Sequence, residues 1–463
     1  MTTKDSKAKR WIVLALVSVT MLCAYYLTDA MAPLETRLEI ALKWSASDYG
    51  WYTGAYGWFN VFLLMLVFGG MILDKMGVRF TGILAIIIML IGAGIKYYAI
   101  SGHVADGALD VKILLWTAKK SAWMAGFGFA VFCVGVEMFG ITANKAVVRW
   151  FRGKELALAI GLNTSVGRIG TALAMFTPIP LVNLTKNLTA PIILSILLLC
   201  IGLISFFFFS ALDRKLDKEE IENQAPDEEF KFKDIVAIAK IKAFWLITIL
   251  CVLFYSAVFP FIKYATHLMI QKFNISDEFA GYIPALLPFG ALFLTPFFGN
   301  LYDRKGKGAT IMVIGSILLL FVHLLFSVPS LNNLYISVGL VLILGIAFSL
   351  VPSAMWPSVA KIIPEQRLGT AYAMTFWVQN WGIMLVPMLI GFVLNKYCIT
   401  GTAVKIIDGK EQVVTLYNYT IPMLIFACFG ALAILFALWL KREDANKGYG
   451  LEKPNIVENQ KFT

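Results

Sequence analysis

Long apolar runs alternate with short polar joints along the whole chain. About twelve runs can be parsed, each close to the ~20 residues that span a bilayer as a helix. Their centres fall near Ser18, Val61, Met89, Phe132, Gly167 and Leu199 in the first half. In the second half they fall near Leu253, Leu287, Leu318, Gly345, Trp381 and Gly430. The most polar stretch, Asp213 to Lys242, carries Asp217-Lys218-Glu219-Glu220 and Asp227-Glu228-Glu229 and ends in the helix-like Phe232–Val236. It predicts a solvated linker, partly an amphipathic helix on the membrane face. The expected organisation is a helical bundle over 1–212, a linker over 213–240, a second bundle over 241–441 and a tail over 442–463. Two joints are long, Gly102 to Lys120 and Lys396 to Tyr417. In the second, Asp408-Gly409 between Val404–Ile407 and Val413-Val414 predicts a small hairpin.

Composition sharpens this picture. The chain is 59% hydrophobic and 15% charged, whereas charged residues make up about a quarter of a soluble domain. A polytopic all-α membrane protein in direct contact with the lipid bilayer follows. The net charge of +11 does not point to nucleic acid, because the basic residues cluster in alternate joints. Lys4, Lys7, Lys9 and Arg10, then Lys75 and Arg79, Arg149, Arg152 and Lys154, and Arg304, Lys305 and Lys307 fall on one side. The positive-inside rule makes that side cytoplasmic, and an even number of spans puts both termini there. Lys112 to Lys120 is an exception on the other side. Cys23, Cys133, Cys200, Cys251, Cys398 and Cys428 show no metal spacing and behave as small hydrophobes. Neither a cofactor nor a metal is expected.

A short pattern occurs twice. Gly69-Gly70-Met71-Ile72-Leu73-Asp74-Lys75-Met76-Gly77-Val78-Arg79 lies between the second and third runs. Gly299-Asn300-Leu301-Tyr302-Asp303-Arg304-Lys305-Gly306-Lys307 lies at the matching place in the second half. Glycine permits close helix approach, an Asp sits at the boundary, and a basic tight turn follows. Recurrence at matching places marks an internally repeated transporter. The pattern resembles the signature loop of the major facilitator superfamily. That resemblance implies about twelve transmembrane helices in two pseudo-symmetric bundles of six. Gly70, Asp74, Gly77 and Arg79, with Gly299, Asp303, Arg304 and Gly306, are then expected to be conformational latches that do not touch solute.

Ionisable residues inside spans are costly in hydrocarbon and face a cavity or a partner. Asp29, Glu137, Lys145, Arg168 and Lys263 are the clearest here, whereas Lys96 is expected to reach the membrane surface, as long basic side chains do. Glu137 and Arg168 lie mid-span, flanked by Gly135 and Gly140 and by Gly167 and Gly170. A carboxylate and a guanidinium fork can grip the two ends of a zwitterion. They can equally form a structural pair joining the fourth and fifth helices, and the residues alone leave both readings open.

The segment from Gly135-Val136-Glu137 through Arg149-Trp150-Phe151-Arg152-Gly153-Lys154-Glu155-Leu156 to Arg168-Ile169-Gly170 resembles one branch of the superfamily. So do Trp356-Pro357-Ser358-Val359-Ala360, Pro364-Glu365-Gln366-Arg367-Leu368-Gly369-Thr370-Ala371-Tyr372 and Gln379-Asn380, with Tyr26, Asp29 and Leu34 and with Tyr56, Trp58 and Asn60-Val61. That branch holds the animal lysosomal dipeptide uniporter and its bacterial relatives. The resemblance implies that Glu137 and Arg168 bind a dipeptide. Asp29, Tyr56, Trp58, Trp356 and Trp377, along with Tyr25, are expected to line the solute cavity. Asn144, Asn163, Gln379 and Asn380 are candidate partners for peptide groups. His103, His267 and His323 share no motif, and no proton relay through them is expected.

No phosphate-binding loop of the Gly-x-x-x-x-Gly-Lys-Ser/Thr kind occurs, which argues against ATP drive. The first span also lacks the Glu-x-x-Glu-Arg pattern of proton-coupled peptide transporters. The expected function is therefore non-enzymatic: a monomeric alternating-access uniporter for dipeptides or similar small zwitterions, binding them at the midplane between its halves. A proton-coupled symporter or an exporter of another organic solute is the transport alternative, and a receptor or scaffold that moves nothing is the alternative of another class. The tail before the first span carries no acidic dileucine signal, so a bacterial inner membrane is expected, with the lysosomal membrane as the alternative.

Overall fold

The computed structural model describes residues 6–104, 110–113, 116–151, 155–220, 232–364, 367–407 and 410–455. Arg152 and Lys154, the acidic run Asp227-Glu228-Glu229, Glu365-Gln366 and the turn Asp408-Gly409 lie outside the described residues. The described chain is overwhelmingly helical. Ten stretches are long and apolar enough to cross a membrane, or eleven if Leu158–Phe176 and Pro178–Thr185, bent by 46°, count as one span.

The first half contains α1 (Lys7–Asp29), α2 (Glu35–Leu42), α3 (Ala46–Gly54), α4 (Trp58–Phe62), α5 (Met65–Ile100), α6 (Lys120–Phe151), α7 (Leu156–Phe176), α8 (Pro178–Thr185) and α9 (Ala190–Glu220). The second contains α10 (Phe232–Ala239), α11 (Lys242–Lys272), α12 (Asp277–Ala280), α13 (Tyr282–Lys305), α14 (Gly308–Ser327), α15 (Leu334–Ile362), α16 (Leu368–Tyr397) and α17 (Thr420–Lys447). The count differs from the expected twelve for a local reason. The span centred on Val61 is broken after α4, where Leu64 takes a left-handed φ of 50°. Its continuation then merges with the next span across Gly77, whose φ of 76° and ψ of 172° interrupt α5. That backbone region is essentially reserved for glycine.

Two hairpins decorate one face. β1 (Asp110–Ile113) pairs with β2 (Trp116–Lys119), which the sequence did not suggest. β3 (Ile399–Ile407) pairs antiparallel with β4 (Lys410–Tyr417) where a hairpin was expected. The linker helix also forms, as α10, and its Asp234 accepts from Arg367 at 2.9 Å.

Contacts divide the chain into two compact units. One comprises Met1–Glu229, Ile262–Ala285 and Ile383–Tyr419, and the other Phe230–Phe261, Leu286–Gly382 and Thr420–Thr463. The first unit thus holds the hairpin-face ends of α11 and α16, with α12 and the start of α13. Within it α1 packs on α7 and α9, and α5 on α6 and α9. In the second, α14 packs on α15 and α17. Prolines lie inside α11, α13, α15 and α16, which membrane helices tolerate when neighbours satisfy the freed carbonyls. Pro387 leaves the Ile383 carbonyl without its usual helical donor, and the Pro387 carbonyl itself accepts from Tyr264 at 2.7 Å.

Candidate functional site

Glu137 and Arg168 come from the middles of α6 and α7, and both are half-buried. Tyr25 of α1 stands beside Arg168: its ring sits 5.8 Å from the guanidinium carbon. Glu137, Arg168 and Asp29 are all close enough to act electrostatically on the Tyr25 hydroxyl. The close approach of α1 and α7 rests on small residues. A side chain at Gly170 would collide with the Leu22 carbonyl, whereas one at Gly167 would make an ordinary contact with the Tyr25 ring at 3.4 Å. Tyr56 donates a 2.7 Å hydrogen bond to Glu137 Oε1. Such a bond to a carboxylate is charge-assisted and fixes the acceptor's direction. Glu137, Arg168, Tyr56 and Tyr25 thus form one group with opposite charges on neighbouring helices.

Asp29 is engaged elsewhere. Its Oδ1 accepts from Lys263 Nζ at 2.5 Å, and the same ammonium donates to the Thr28 carbonyl at 2.7 Å. Both side chains are about nine-tenths buried. Asp29 therefore ties α1 to the hairpin-face end of α11. Lys96 contradicts the expectation that it reaches the membrane surface. It is fully buried, with its ammonium 5.3 Å from the Tyr52 ring centroid and 4.8 Å from that of Phe129. It sits too far inside the α5–α6 packing to snorkel, and the ring faces supply cation–π attraction in place of water. Its hydrogen bond to the Leu27 carbonyl is long, at 3.5 Å.

The remaining candidates scatter. Trp58 packs in an aromatic group with Trp51 and Trp123, at centroid distances of 5.0 and 5.6 Å. Asn144 is exposed. Asn163 accepts from Ser18 at 2.9 Å in a buried α1–α7 contact. In the second unit Trp356 donates to the Tyr255 hydroxyl at 3.2 Å and stacks on Phe376 at 4.8 Å. Gln379 Oε1 accepts from the Cys251 thiol at 3.6 Å. Asn380 donates to the Phe376 carbonyl at 3.0 Å, while its own amide oxygen is buried without a hydrogen bond. Trp377 meets Trp381 edge-on at 6.2 Å.

The two signature loops are built differently. Asp74 accepts from Lys145 of α6 at 2.9 Å. Arg79 and Arg149 both reach Asp213, at 3.7 and 3.0 Å, and Trp150 donates to it at 3.0 Å. Asp213, read from the sequence as the start of the linker, is instead a buried anchor. In the second loop the tail lies across the turn. Glu452 accepts from the backbone N–H groups of Lys307 and Thr310, and Asn455 donates to the Asp303 carboxylate at 2.7 Å. Arg304 is exposed. Glycine is required at Gly77 by its φ and ψ, and at Gly306 because φ is positive and an added Cβ would lie 2.5 Å from the Glu452 carbonyl. It is not required by packing at Gly70 or Gly299, where an added Cβ would meet nothing within 4 Å.

A second buried polar group surrounds α2, which the sequence did not single out. Glu35, His267, Tyr417 and Tyr419 converge there, and Tyr417 donates to Glu39 at 3.2 Å. Burial, followed by the nearby Glu39 and Glu35, pushes the Tyr417 hydroxyl up, so it remains a donor. Arg37 is bound to Asp277 at 2.5 Å.

These features accord with comparisons to known proteins. The chain is 29% identical to the human lysosomal dipeptide transporter MFSD1 over 403 residues, covering 84% of this chain and 81% of that one. It is 28% identical to the Escherichia coli inner membrane transport protein YdiN over 126 residues, covering 27% and 29% of the two chains. Among solved structures, the nucleoside transporter NupG superposes with a TM-score of 0.65 at 15% identity, covering 93% of this chain and 99% of NupG. A bacterial homologue of the human lysosomal transporter Spinster, inward-facing and unoccupied, superposes with a TM-score of 0.65 at 14% identity, covering 95% and 98%. The Major Facilitator Superfamily profile matches residues 14–387. The chain therefore belongs to the Major Facilitator Superfamily, as a multi-pass membrane transporter and not an enzyme.

Proposed function

We propose that this transporter moves dipeptides or similar small zwitterions by alternating access, as a uniporter. The observation that carries this reading is the Glu137–Tyr25–Arg168 group, in which opposite charges on α6 and α7 stand around one aromatic side chain. A dipeptide's termini lie about two extended residues apart, roughly 7 Å, a span that charges on adjacent helices can bracket. Arg168 takes the carboxylate with its planar fork, and Glu137, held by Tyr56, takes the ammonium. Similarity to proteins named as dipeptide transporters supports the same reading. The hairpin face is extracellular, and both termini lie in the cytoplasm of a bacterium. The test is competition in proteoliposome uptake between free dipeptides and their carboxyl amides. Amidation removes the charge that Arg168 reads, so the amides should fail to compete. Equal potency of the two forms would sink the clamp and leave Glu137 and Arg168 as structural groups.

The signature loops serve as latches away from the solute. Asp74→Asn breaks a half-exposed pair with Lys145, and such pairs contribute about 0.2–1 kcal/mol. Turnover should therefore fall by less than about fivefold, with solute affinity unchanged. A large loss of affinity at unaltered turnover would overturn this role.

A further inference from the structure

We infer that the polar group around α2 is a proton-binding site, with Glu35 carrying the proton while the hairpin-face ends are packed together. The hydrogen-bond pattern makes the argument. Gln271 accepts from the Tyr417 N–H at 3.3 Å and donates to the Thr415 carbonyl at 3.1 Å, so β4 fixes which end of its amide is the nitrogen. That nitrogen stands 3.0 Å from His267 Nε2. Nε2 is therefore an acceptor, and His267 is neutral with its hydrogen on Nδ1. Nδ1 faces the Tyr419 hydroxyl at 2.7 Å and Glu35 Oε2 at 3.4 Å. Glu35 is 1% exposed, and neither of its oxygens has a hydrogen bond.

The groups that act on or lie beside Glu35 are an acid, hydroxyls and a neutral imidazole. Glu39 follows it on α2, Tyr49 comes from α3, Tyr264 and His267 from α11, and Tyr417 from β4, with Tyr419 just beyond. Two cations lie nearby: Arg37, which pairs with Asp277 and donates no hydrogen bond to Glu35, and Lys405 of β3, which acts on His267. A carboxylate without hydrogen bonds or a paired cation is too costly to bury, so the group is neutralised instead. Burial disfavours the charge on Glu39 too, but Glu39 is more exposed and the hydrogen bond from Tyr417 works the other way.

When these ends part, water reaches Glu35 and the proton leaves to the hairpin side. The closed form binds one proton more than the open form, so acid on that side favours closure. The proton enters and leaves by the same side. The site therefore gates the transporter without coupling proton flux to solute, and it does not depend on which solute is carried.

Two measurements test this. In infrared difference spectra, wild type at neutral pH should show the carbonyl stretch of a protonated carboxyl group, lost in Glu35→Gln and kept in Glu39→Gln. In nanodiscs, with the six native cysteines replaced by serine, Thr36→Cys reports opening through its reaction with a thiol reagent. Divided by the rate at a fully exposed cysteine, which corrects for the thiolate fraction, labelling should slow by up to roughly tenfold for each unit fall in pH, and this ratio should become independent of pH once Glu35→Gln is added. If the band survives Glu35→Gln, or if the ratio of labelling rates in the Glu35 protein is unaffected by pH, the site does not hold the proton. The labelling arm on the Glu35 protein stands even where Glu35→Gln fails to fold.

Discussion

Arg168→Lys is expected to weaken dipeptide affinity by roughly tenfold to a hundredfold while the charge at the site is preserved. A bidentate guanidinium makes two parallel charged hydrogen bonds to a carboxylate, and an ammonium cannot reproduce that fork. Losing a hydrogen bond to a charged group costs about 1.5–3 kcal/mol, which corresponds to that range. Arg168→Gln removes the charge as well and should cost more. It should also erase the distinction between free and amidated dipeptides, because nothing then reads the carboxylate. Equilibrium binding of both ligand forms to each variant checks this. Arg168→Lys binding with native affinity would show that the side chain acts as a point charge and not as a fork. The Tyr25 ring beside the guanidinium makes lysine a poor substitute for a second reason, since a planar guanidinium stacks on an aromatic face and an ammonium does not.

Asp29→Asn is expected to destabilise the first unit by about 3–5 kcal/mol, because breaking a buried pair leaves its partner charge uncompensated. The partner is Lys263, whose ammonium lies 5.6 Å from the Phe129 ring centroid. Lys96 stands over the same ring, so two ammonium groups and one carboxylate share this region. Removing the carboxylate leaves the Lys263 ammonium without its carboxylate partner in a region that also holds Lys96. The double variant Asp29→Asn with Lys263→Met should recover most of the loss, since it removes the orphaned charge along with its partner. Thermal unfolding of the single and double variants in detergent gives the coupling. If the single variant unfolds with the native midpoint, the pair contributes nothing, and Asp29 is then available to solute as the sequence suggested.

The features legible in the sequence are those that repeat or that follow from a local rule. The apolar runs specify helices because a backbone in hydrocarbon must satisfy its own hydrogen bonds. The repeated Asp-basic-Gly loops identified the family, and the hairpin at Val404 to Val414 was readable from its turn and flanking strands. Gly77 and Gly306 were legible as turn residues, because positive φ is a local property. Packing was not legible. Asp29 and Lys263 were both marked as intramembrane charges, but they are separated by more than half the chain, and only the approach of α1 to α11 makes them partners. Lys96 was misplaced because snorkelling depends on whether a path to the surface stays open, and the Tyr52 and Phe129 rings close that path. Asp213 looked like linker until Arg149, Arg79 and Trp150 closed on it. His267 had no motif because its meaning lies in Tyr419 and Glu35, which tertiary structure brings from two other segments to the helix that carries His267 and Gln271. Sequence alone determined which residues carry charge into the membrane. Which of those charges come close enough to pair, as Asp29 and Lys263 do, was decided by distances that only the folded chain sets.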